Sequence, residues 1–254
     1  MSGFPSFRIG CVPYFNAYPL CAYPQDPTIR FVVPSRLSEE FHKGLYDAAL
    51  IPVFEWFRGS QLLAVEGVAI ACQGAVRSVL IAHKEPFGEL HDIWLDPASR
   101  TSIHLAQILF RRHFRKEVTW HEGKVPPDGA RVVIGDPALR IYLGEGGWQM
   151  IDLGSAWWDF TGLPFVFALW ALAPTLRSPE KIAVTLRRWK TEGLAKRHLI
   201  AKEQTSFPEA VLLDYLTRAI RYDLGNSQKE AIERFQQLLY EEGFLEEKRP
   251  LKFI

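Results

Sequence analysis

Short apolar segments that end at a proline are the feature that most constrains the fold of this chain. Residues 9–13, 29–34 and 47–52 are such segments. Proline has no N–H to donate to a neighbouring strand, so each segment is predicted to be a short strand that stops there. Residues 36–43 carry helix signals, with Ser35 as the predicted N-cap. The order strand, turn, strand, helix, strand predicts an α/β sheet with parallel strands. Ligands of such sheets bind beyond the carboxyl ends of the strands, so the ends of the first and third strands are predicted to face one crevice.

An aromatic-lined turn with a single amide side chain follows the first strand. The amide belongs to Asn16, between Phe15 and Tyr18. Asparagine both donates and accepts hydrogen bonds, so it suits a polar ligand atom in apolar surroundings. It is also a preferred helix cap and turn residue. The pattern therefore leaves two alternatives for Asn16, contact with a ligand and capping of the following helix.

Composition and charge argue against several classes of partner and location. The net charge of +1 over 254 residues argues against nucleic acid or an anionic membrane as the main partner. No run approaches the roughly 20 apolar residues of a membrane span, and the N-terminus lacks the basic head and apolar run of an export signal. Cys11, Cys21 and Cys72 are odd in number and lack metal or disulfide spacing, so three buried thiols are predicted. These observations predict a soluble, cytoplasmic protein.

A serine hydroxyl lies inside an apolar stretch that is predicted to continue the first sheet. Residues 68–72 and 76–82 are two predicted strands, and Ser78 lies in the second. A buried hydroxyl needs a hydrogen-bond partner. Neighbouring backbone and a bound ligand are the two alternatives for this partner.

A loop rich in hydroxyl groups opens a second predicted unit, which begins near Lys84. Ser99, Thr101 and Ser102 lie in this loop, directly before a helix predicted over residues 103–114. Hydroxyls together with the free N–H groups of a helix start form an anion site without any lysine. The alternative is an ordinary N-cap by Ser99 or Thr101, which accounts for one hydroxyl but not for three.

A glycine and an aspartate follow another predicted strand, residues 131–134. Gly135 allows a close approach of the backbone to a ligand. Asp136 either accepts a hydrogen bond from a ligand hydroxyl or caps its own helix. Residues 155–164 are predicted to form an aromatic-rich loop, and residues 165–172 a buried strand that returns to the first unit.

These elements predict two α/β lobes with a ligand cleft between them. The first lobe comprises residues 1–83 plus 170–254, and the second comprises residues 84–169. The C-terminal helices are predicted to serve packing only, the last of them with a capping box at Ser227 and Glu230. The layout resembles the type 2 periplasmic-binding-protein fold, in which two lobes close on a small ligand.

Six stretches between residues 8 and 172 carry a family resemblance. In chain order they are RIGCVPYFNAYPL, PSRLSEEFHKGLYDAALIPVFEW, GAVRSVLI, LDPASRTS, VVIGDPAL and WWDFTGLPFVFALW. Together they resemble the chorismate dehydratase family of the futalosine route to menaquinone. The resemblance implies a carbon–oxygen lyase that removes water from chorismate to give 3-[(1-carboxyvinyl)oxy]benzoate, without a metal or other cofactor. It implies a small substrate with carboxylates as the partner, and neither nucleic acid nor membrane; it does not predict the oligomeric state.

The resemblance also assigns roles to residues of these motifs. They are Asn16 and Ser78 at the reacting centre, Thr101 and Ser102 at a carboxylate-binding helix start, and Gly135 and Asp136 facing the ligand. The matched motifs contain no histidine or glutamate where a general base is expected, and His104 is interpreted as structural. We therefore hypothesise that the enolpyruvyl carboxylate of the substrate takes the proton, while Asn16 and Ser78 position it and the departing hydroxyl. Asp136 as the proton-handling acid is the competing assignment.

Three alternative functions are compatible with the same cleft. The enzyme of the same pathway that makes 1,4-dihydroxy-6-naphthoate shares the fold, and the resemblance implies a histidine there in place of Gly135. A non-catalytic binding protein for small anionic solutes is expected to carry an export signal or a lipidation cysteine. A ligand-sensing regulatory lobe is expected to carry a DNA-binding or signalling segment.

Overall fold

The computed structural model describes residues 7–21 and 29–254, and the strands in this part of the chain form two five-stranded sheets. The first sheet contains β1 (Ile9–Cys11), β2 (Ile29–Phe31), β3 (Ala48–Pro52), β4 (Leu63–Cys72) and β10 (Phe165–Leu172). Its strand order is β2-β1-β3-β10-β4. β1 pairs in parallel with β2 and β3, as predicted, whereas β10 runs antiparallel between β3 and β4. The first sheet is therefore mixed, and β10 does return to it.

The second sheet receives a strand that was predicted for the first. It contains β5 (Val79–His83), β6 (Asp92–Trp94), β7 (Thr119–His121), β8 (Arg131–Ile134) and β9 (Gln149–Asp152), in the order β7-β6-β8-β5-β9. β5 pairs antiparallel with both β8 and β9, so the prediction that residues 76–82 continue the first sheet is wrong. The chain turns away between β4 and β5, where Gly74 and Arg77 both have positive φ angles. Residues 79–83 thus join the second sheet, while the bounds of the two lobes as a whole stay a prediction.

Ten helices connect and cover the sheets in the described part of the chain. They are α1 (Tyr18–Cys21), α2 (Pro34–His42), α3 (Val53–Arg58), α4 (Arg100–Leu109), α5 (Gly135–Tyr142), α6 (Leu153–Thr161), α7 (Pro179–Ala195), α8 (Arg197–Glu203), α9 (Glu209–Asp214) and α10 (Asn226–Glu241). A 3-10 helix (Phe15–Ala17) precedes α1, and π-helical turns follow α4 (Phe110–Phe114) and α9 (Tyr215–Ala219).

α6 occupies most of the stretch, residues 155–164, that was predicted to be a loop. Its N-terminus is capped by the side chain of Asp152, which accepts from Ser155 N at 2.9 Å, and its Trp157 is fully buried. Tertiary packing of this aromatic face outweighs its modest helix propensity.

Two predicted helix caps are wrong. α2 begins at Pro34, so Ser35 lies inside the helix and not at its cap. At the start of α10 the side chain of Gln228 accepts from the backbone N–H of Gly225 at 3.1 Å, which replaces the predicted box between Ser227 and Glu230. In both cases the helix start lies upstream of the predicted cap.

The cysteines depart from the prediction of three thiols. Cys11 at the end of β1 and Cys21 at the end of α1 form a disulfide, with their Cα atoms 6.7 Å apart. The spacing in sequence did not reveal this pair, because the 3-10 turn and α1 fold the chain back onto the strand. Cys72 is free and fully buried, as predicted.

No helix of residues 7–21 and 29–254 is long and apolar enough to cross a membrane. The first six residues, on which the expectation of no export signal partly rests, lie outside the described residues.

Candidate functional site

A cavity lies where strand ends of the two sheets meet the N-terminus of α4. Val12, Pro52 and Phe167 line it from the first sheet, and Val79 and Ile134 line it from the second. The predicted crevice at the ends of the first and third strands is therefore present. Most of the lining is apolar, so the few polar side chains determine which ligand groups the cavity can hold.

Six of the seven predicted site residues line this one cavity. They are Asn16, Ser78, Ser99, Thr101, Ser102 and Gly135. The cavity volume is about 70 Å³. This space holds a few water molecules but is small for a substituted six-membered ring, because ligand pockets commonly measure about 300–1,000 Å³.

Asn16 presents a buried acceptor that has no protein partner. It lies in the 3-10 turn after β1, and its side-chain oxygen Oδ1 is buried without a hydrogen bond. Because Oδ1 accepts from no backbone N–H, the alternative in which Asn16 caps the following helix is wrong. A buried oxygen without a partner carries a desolvation penalty of about 1–3 kcal/mol. A ligand group that donates a hydrogen bond there removes the penalty.

Ser78 has two hydrogen-bond partners, of which the sequence predicted one. Its fully buried hydroxyl donates to the backbone oxygen of Val76 at 3.5 Å, as the neighbouring-backbone alternative predicts, and accepts from the Tyr215 hydroxyl at 2.7 Å, which neither alternative predicts. Tyr215 begins the π-helical turn after α9, in the C-terminal part of the chain that was predicted to serve packing only. In sequence Tyr215 is one aromatic residue among apolar neighbours, and no local pattern separates it from a core residue.

The start of α4 brings three buried hydroxyls to the cavity. Ser99 stands at the N-cap position, but its side chain makes no cap hydrogen bond. Thr101 Oγ1 accepts from the backbone N–H of Phe54 at 3.1 Å, across to α3, and does not cap its own helix. The ordinary-cap alternative is therefore wrong for both residues. Ser102 is also buried. The first turn of the helix leaves free backbone N–H groups at the positive end of the helix dipole, where an anion is stabilised.

Arg100 is a cation at the same helix start that the sequence analysis missed. It lines the cavity, and its Nε lies 3.9 Å from Oε1 of the buried Glu55. Glu55 also lies 3.3 Å from a guanidinium nitrogen of Arg58. Burial acts to raise the pKa of Glu55, but the hydrogen bond from His42 and the positive charges of Arg58 and Arg100 lower it below its usual value. In sequence Arg100 lies within the LDPASRTS motif, between hydroxyl residues that by themselves predict an anion site.

Gly135 and Asp136 contact the loop that carries Asn16. Gly135 has a φ of +67°, and a Cβ at this position would lie 2.8 Å from the Tyr14 ring, so glycine is required for the observed close approach. Asp136 does not line the cavity; its Oδ1 accepts from the backbone N–H of Phe15 at 3.3 Å. Burial raises the pKa of Asp136 to about 6, although the Phe15 N–H and the positive charge of Arg140 act to lower it. α5 has no side-chain cap at its start, so the capping alternative for Asp136 is wrong.

His104 lies outside the cavity. Its ring packs in tilted contact with the rings of Phe54 and Phe244, with centroid distances of 4.1 and 4.6 Å, and burial lowers its pKa to about 4. The neutral, packed ring confirms the structural interpretation of this histidine. Over the described residues there is no cluster of three or more histidine, cysteine or acidic side chains that could hold a metal ion.

Comparisons with known proteins point to one family. The family model described as menaquinone biosynthesis matches residues 7–241. A chorismate dehydratase from Thermus thermophilus is 26% identical over 259 residues, which cover 92% of this chain and 95% of that protein. A chorismate dehydratase from Campylobacter jejuni is 27% identical over 226 residues, with coverage of 87% and 88%.

A solved structure supports the fold independently. The periplasmic aliphatic sulphonate binding protein of Escherichia coli superposes with a TM-score of 0.64 at 18% identity, covering 95% of this chain and 94% of that one. At this identity the likeness concerns the fold alone. The predicted α/β, periplasmic-binding-protein-like fold is confirmed.

Proposed function

Because the chain belongs to the menaquinone biosynthesis family, we propose that it is a chorismate dehydratase, a lyase that removes water from chorismate to give 3-[(1-carboxyvinyl)oxy]benzoate. The observation that carries the proposal is the convergence of Asn16, Ser78 and the start of α4 on one apolar cavity. Chorismate combines an apolar ring with one hydroxyl and two carboxylates. The cavity offers an apolar lining, a hydroxyl and an amide, and a helix start beside a cation.

The reaction breaks two bonds on adjacent ring carbons. The carbon that bears the enolpyruvyl ether loses its proton, and its neighbour loses the hydroxyl group, so the double bond that forms completes an aromatic ring. Aromatisation supplies much of the driving force, and the protein mainly has to orient the leaving groups. Ser78 and Asn16 are the polar groups that we assign to the departing hydroxyl.

The substrate itself supplies the base in this proposal. The described residues that line the cavity include no carboxylate, histidine or lysine. The enolpyruvyl carboxylate is attached through the ether oxygen to the carbon that loses its proton, so it reaches this proton within the substrate. Asp136 points to the Phe15 backbone and not into the cavity, which favours the substrate carboxylate over Asp136.

The start of α4 suits a carboxylate of the substrate. Its free N–H groups and the positive end of its dipole stabilise a negative charge there. Arg100 adds a full positive charge at the same place, and the buried Glu55 holds the guanidinium group nearby. We assign one substrate carboxylate to this end of the cavity, with Thr101 and Ser102 beside it.

The naphthoate synthase of the same pathway fits less well. A histidine in place of Gly135, as expected of that enzyme, would put its Cβ 2.8 Å from the Tyr14 ring. The loop of Tyr14 would have to move to accept it. A glycine with a positive φ at this position therefore supports the dehydratase.

Substitution of the two polar groups tests the assignment. We expect Ser78→Ala and Asn16→Ala to lower kcat for chorismate by about 10²–10³-fold, because each variant removes a hydrogen bond at the departing hydroxyl. Ser38→Ala is the matched control: Ser38 is also a buried serine, but its hydroxyl donates to the backbone oxygen of Pro34 within α2. Full turnover by Ser78→Ala and Asn16→Ala would refute the roles assigned here.

A further inference from the structure

We propose that Tyr215 is a positioning residue that fixes which of two polar groups donates to the departing hydroxyl and which one accepts from it. The inference rests on the proposed function. Tyr215 and Ser78 are both buried, and their hydroxyl oxygens are 2.7 Å apart. They are separated by 137 residues in sequence, so the contact depends on the tertiary fold.

The hydrogen bonds around Tyr215 run in one direction. The Tyr215 hydroxyl donates to Ser78 Oγ at 2.7 Å, and Ser78 Oγ donates in turn to the Val76 carbonyl at 3.5 Å. A hydrogen bond from the Asn16 side chain acts to lower the pKa of Tyr215, which is the effect of an amide N–H₂ that donates to the tyrosine oxygen. The Asn16 Oδ1 atom itself has no partner.

This direction leaves one donor and one acceptor for a ligand. Ser78 accepts from Tyr215 and donates its own proton to the Val76 carbonyl at 3.5 Å, the outer limit of a hydrogen bond, so a ligand oxygen can take over this weak contact. Asn16 Oδ1 is an acceptor without a partner. A substrate hydroxyl is both a donor and an acceptor, and it satisfies both groups at once. Ser78 then donates to the oxygen that leaves, which is the contact that elimination of water needs.

Neighbouring contacts fix the position of Tyr215 relative to Ser78. The residues that directly precede them, Asp214 and Arg77, form an ion pair at 2.5 Å. The backbone N–H of Arg77 donates to Asp152 at 2.7 Å, which fixes the turn before β5. Tyr215 itself begins a π-helical turn, a feature that is frequent at functional sites. Two links therefore join this turn to the π-helical segment, the partly buried ion pair between Arg77 and Asp214 and the buried hydrogen bond between Ser78 and Tyr215.

Tyr215 remains a donor throughout the working pH range. Burial raises its pKa well above the ordinary value of a tyrosine, and the charges of Asp136 and Asp152 raise it further. The hydrogen bonds that Tyr215 makes with Ser78 and Asn16 act in the opposite direction but do not outweigh burial. The hydroxyl is accordingly protonated whenever the enzyme is folded and active.

Replacement of Tyr215 by phenylalanine tests the inference, because the ring stays and only the hydroxyl is lost. We expect kcat for chorismate to fall about 10–100-fold while Kd changes less than about twofold, since Ser78 remains but its proton is no longer directed. Tyr222→Phe is the matched control. Tyr222 is equally buried, and its hydroxyl has no hydrogen-bond partner, so kcat should stay at the wild-type value.

A double variant separates positioning from packing. Because Tyr215 acts through Ser78, Ser78→Ala/Tyr215→Phe should have the same kcat as Ser78→Ala alone. The double variant also leaves no orphaned hydroxyl between the two positions, so this comparison survives if Tyr215→Phe alone folds poorly. Wild-type kcat in Tyr215→Phe, or a double variant clearly slower than Ser78→Ala, would overturn the inference while the proposed function stood. No turnover in the wild type and in Tyr222→Phe would overturn the proposed function and this inference with it.

Discussion

Replacing Asp136 by asparagine should stabilise the protein at alkaline pH and not at acidic pH. Burial raises the pKa of Asp136 from 3.8 to about 6, so its ionised form costs more free energy in the folded protein than in the unfolded chain. The folded protein therefore binds this proton more tightly. The contribution of Asp136 to the free energy of unfolding is most favourable below about pH 4, falls as the pH rises to about 6, and is constant above that.

The magnitude follows from the two pKa values. A difference from 3.8 to about 6 corresponds to about 3 kcal/mol at full effect. Asp136 is only partly buried, so solvent screening reduces this, and we expect Asp136→Asn to gain about 1–2 kcal/mol at pH 8. Asparagine keeps an oxygen that accepts from the Phe15 N–H, so the hydrogen bond across to the loop of Asn16 is preserved.

Urea unfolding followed by tryptophan fluorescence measures this effect, because the chain has eight tryptophans. At pH 8 the midpoint of Asp136→Asn should lie above that of the wild type, by roughly 0.5 M for a typical dependence on urea. At pH 4 the two midpoints should coincide. A gain that is equal at both pH values, or a loss at pH 8, would refute the reasoning about the buried carboxyl group.

The remaining predictions concern the two sides of the cavity. Gly135→Ala should lower the free energy of unfolding by at least about 1–2 kcal/mol and reduce kcat, because its φ is +67° and its Cβ would displace Tyr14; unchanged urea midpoint and kcat would contradict this. Arg100→Gln should raise KM for chorismate about tenfold with little effect on kcat in initial-rate measurements, and Arg100→Lys should lie between it and the wild type; an unchanged KM would remove Arg100 from substrate binding. Thr101→Val should cost about 1–3 kcal/mol in urea unfolding, because the buried Phe54 N–H loses its acceptor, while Thr101→Ser keeps it; equal stability of both variants would contradict the contact.

The sequence predicts the positions of the strands better than it predicts which strands pair with one another. β8 and β10 lie at residues 131–134 and 165–172 as predicted, because buried apolar runs bounded by breaks are a local signal. β5 was predicted in the wrong sheet. All five of its residues are buried, so its pattern does not distinguish one sheet from the other. The turn that decides the matter depends on Asp152, more than 70 residues away.

The candidate site shows the same division between local and distant information. Asn16, Ser78 and the hydroxyls before α4 are polar residues beside apolar strands, and such departures from the pattern are visible in a sequence. Tyr215 is an aromatic residue between Asp214 and Leu216 in an amphipathic helical segment, as expected for a core position, and only the fold brings it to Ser78. The disulfide between Cys11 and Cys21 was missed for a related reason, since its formation depends on how the turn between them folds back.

Mixing the purified protein with chorismate, without added metal or cofactor, tests the central claim most directly. The ultraviolet spectrum and the product mass are followed together, with a chelator in a parallel sample. We expect an aromatic product that is one water lighter than chorismate, at the same rate with and without the chelator. Tight binding without turnover would contradict the account and assign the protein to the solute-binding class, and the absence of both would show that its substrate is another molecule.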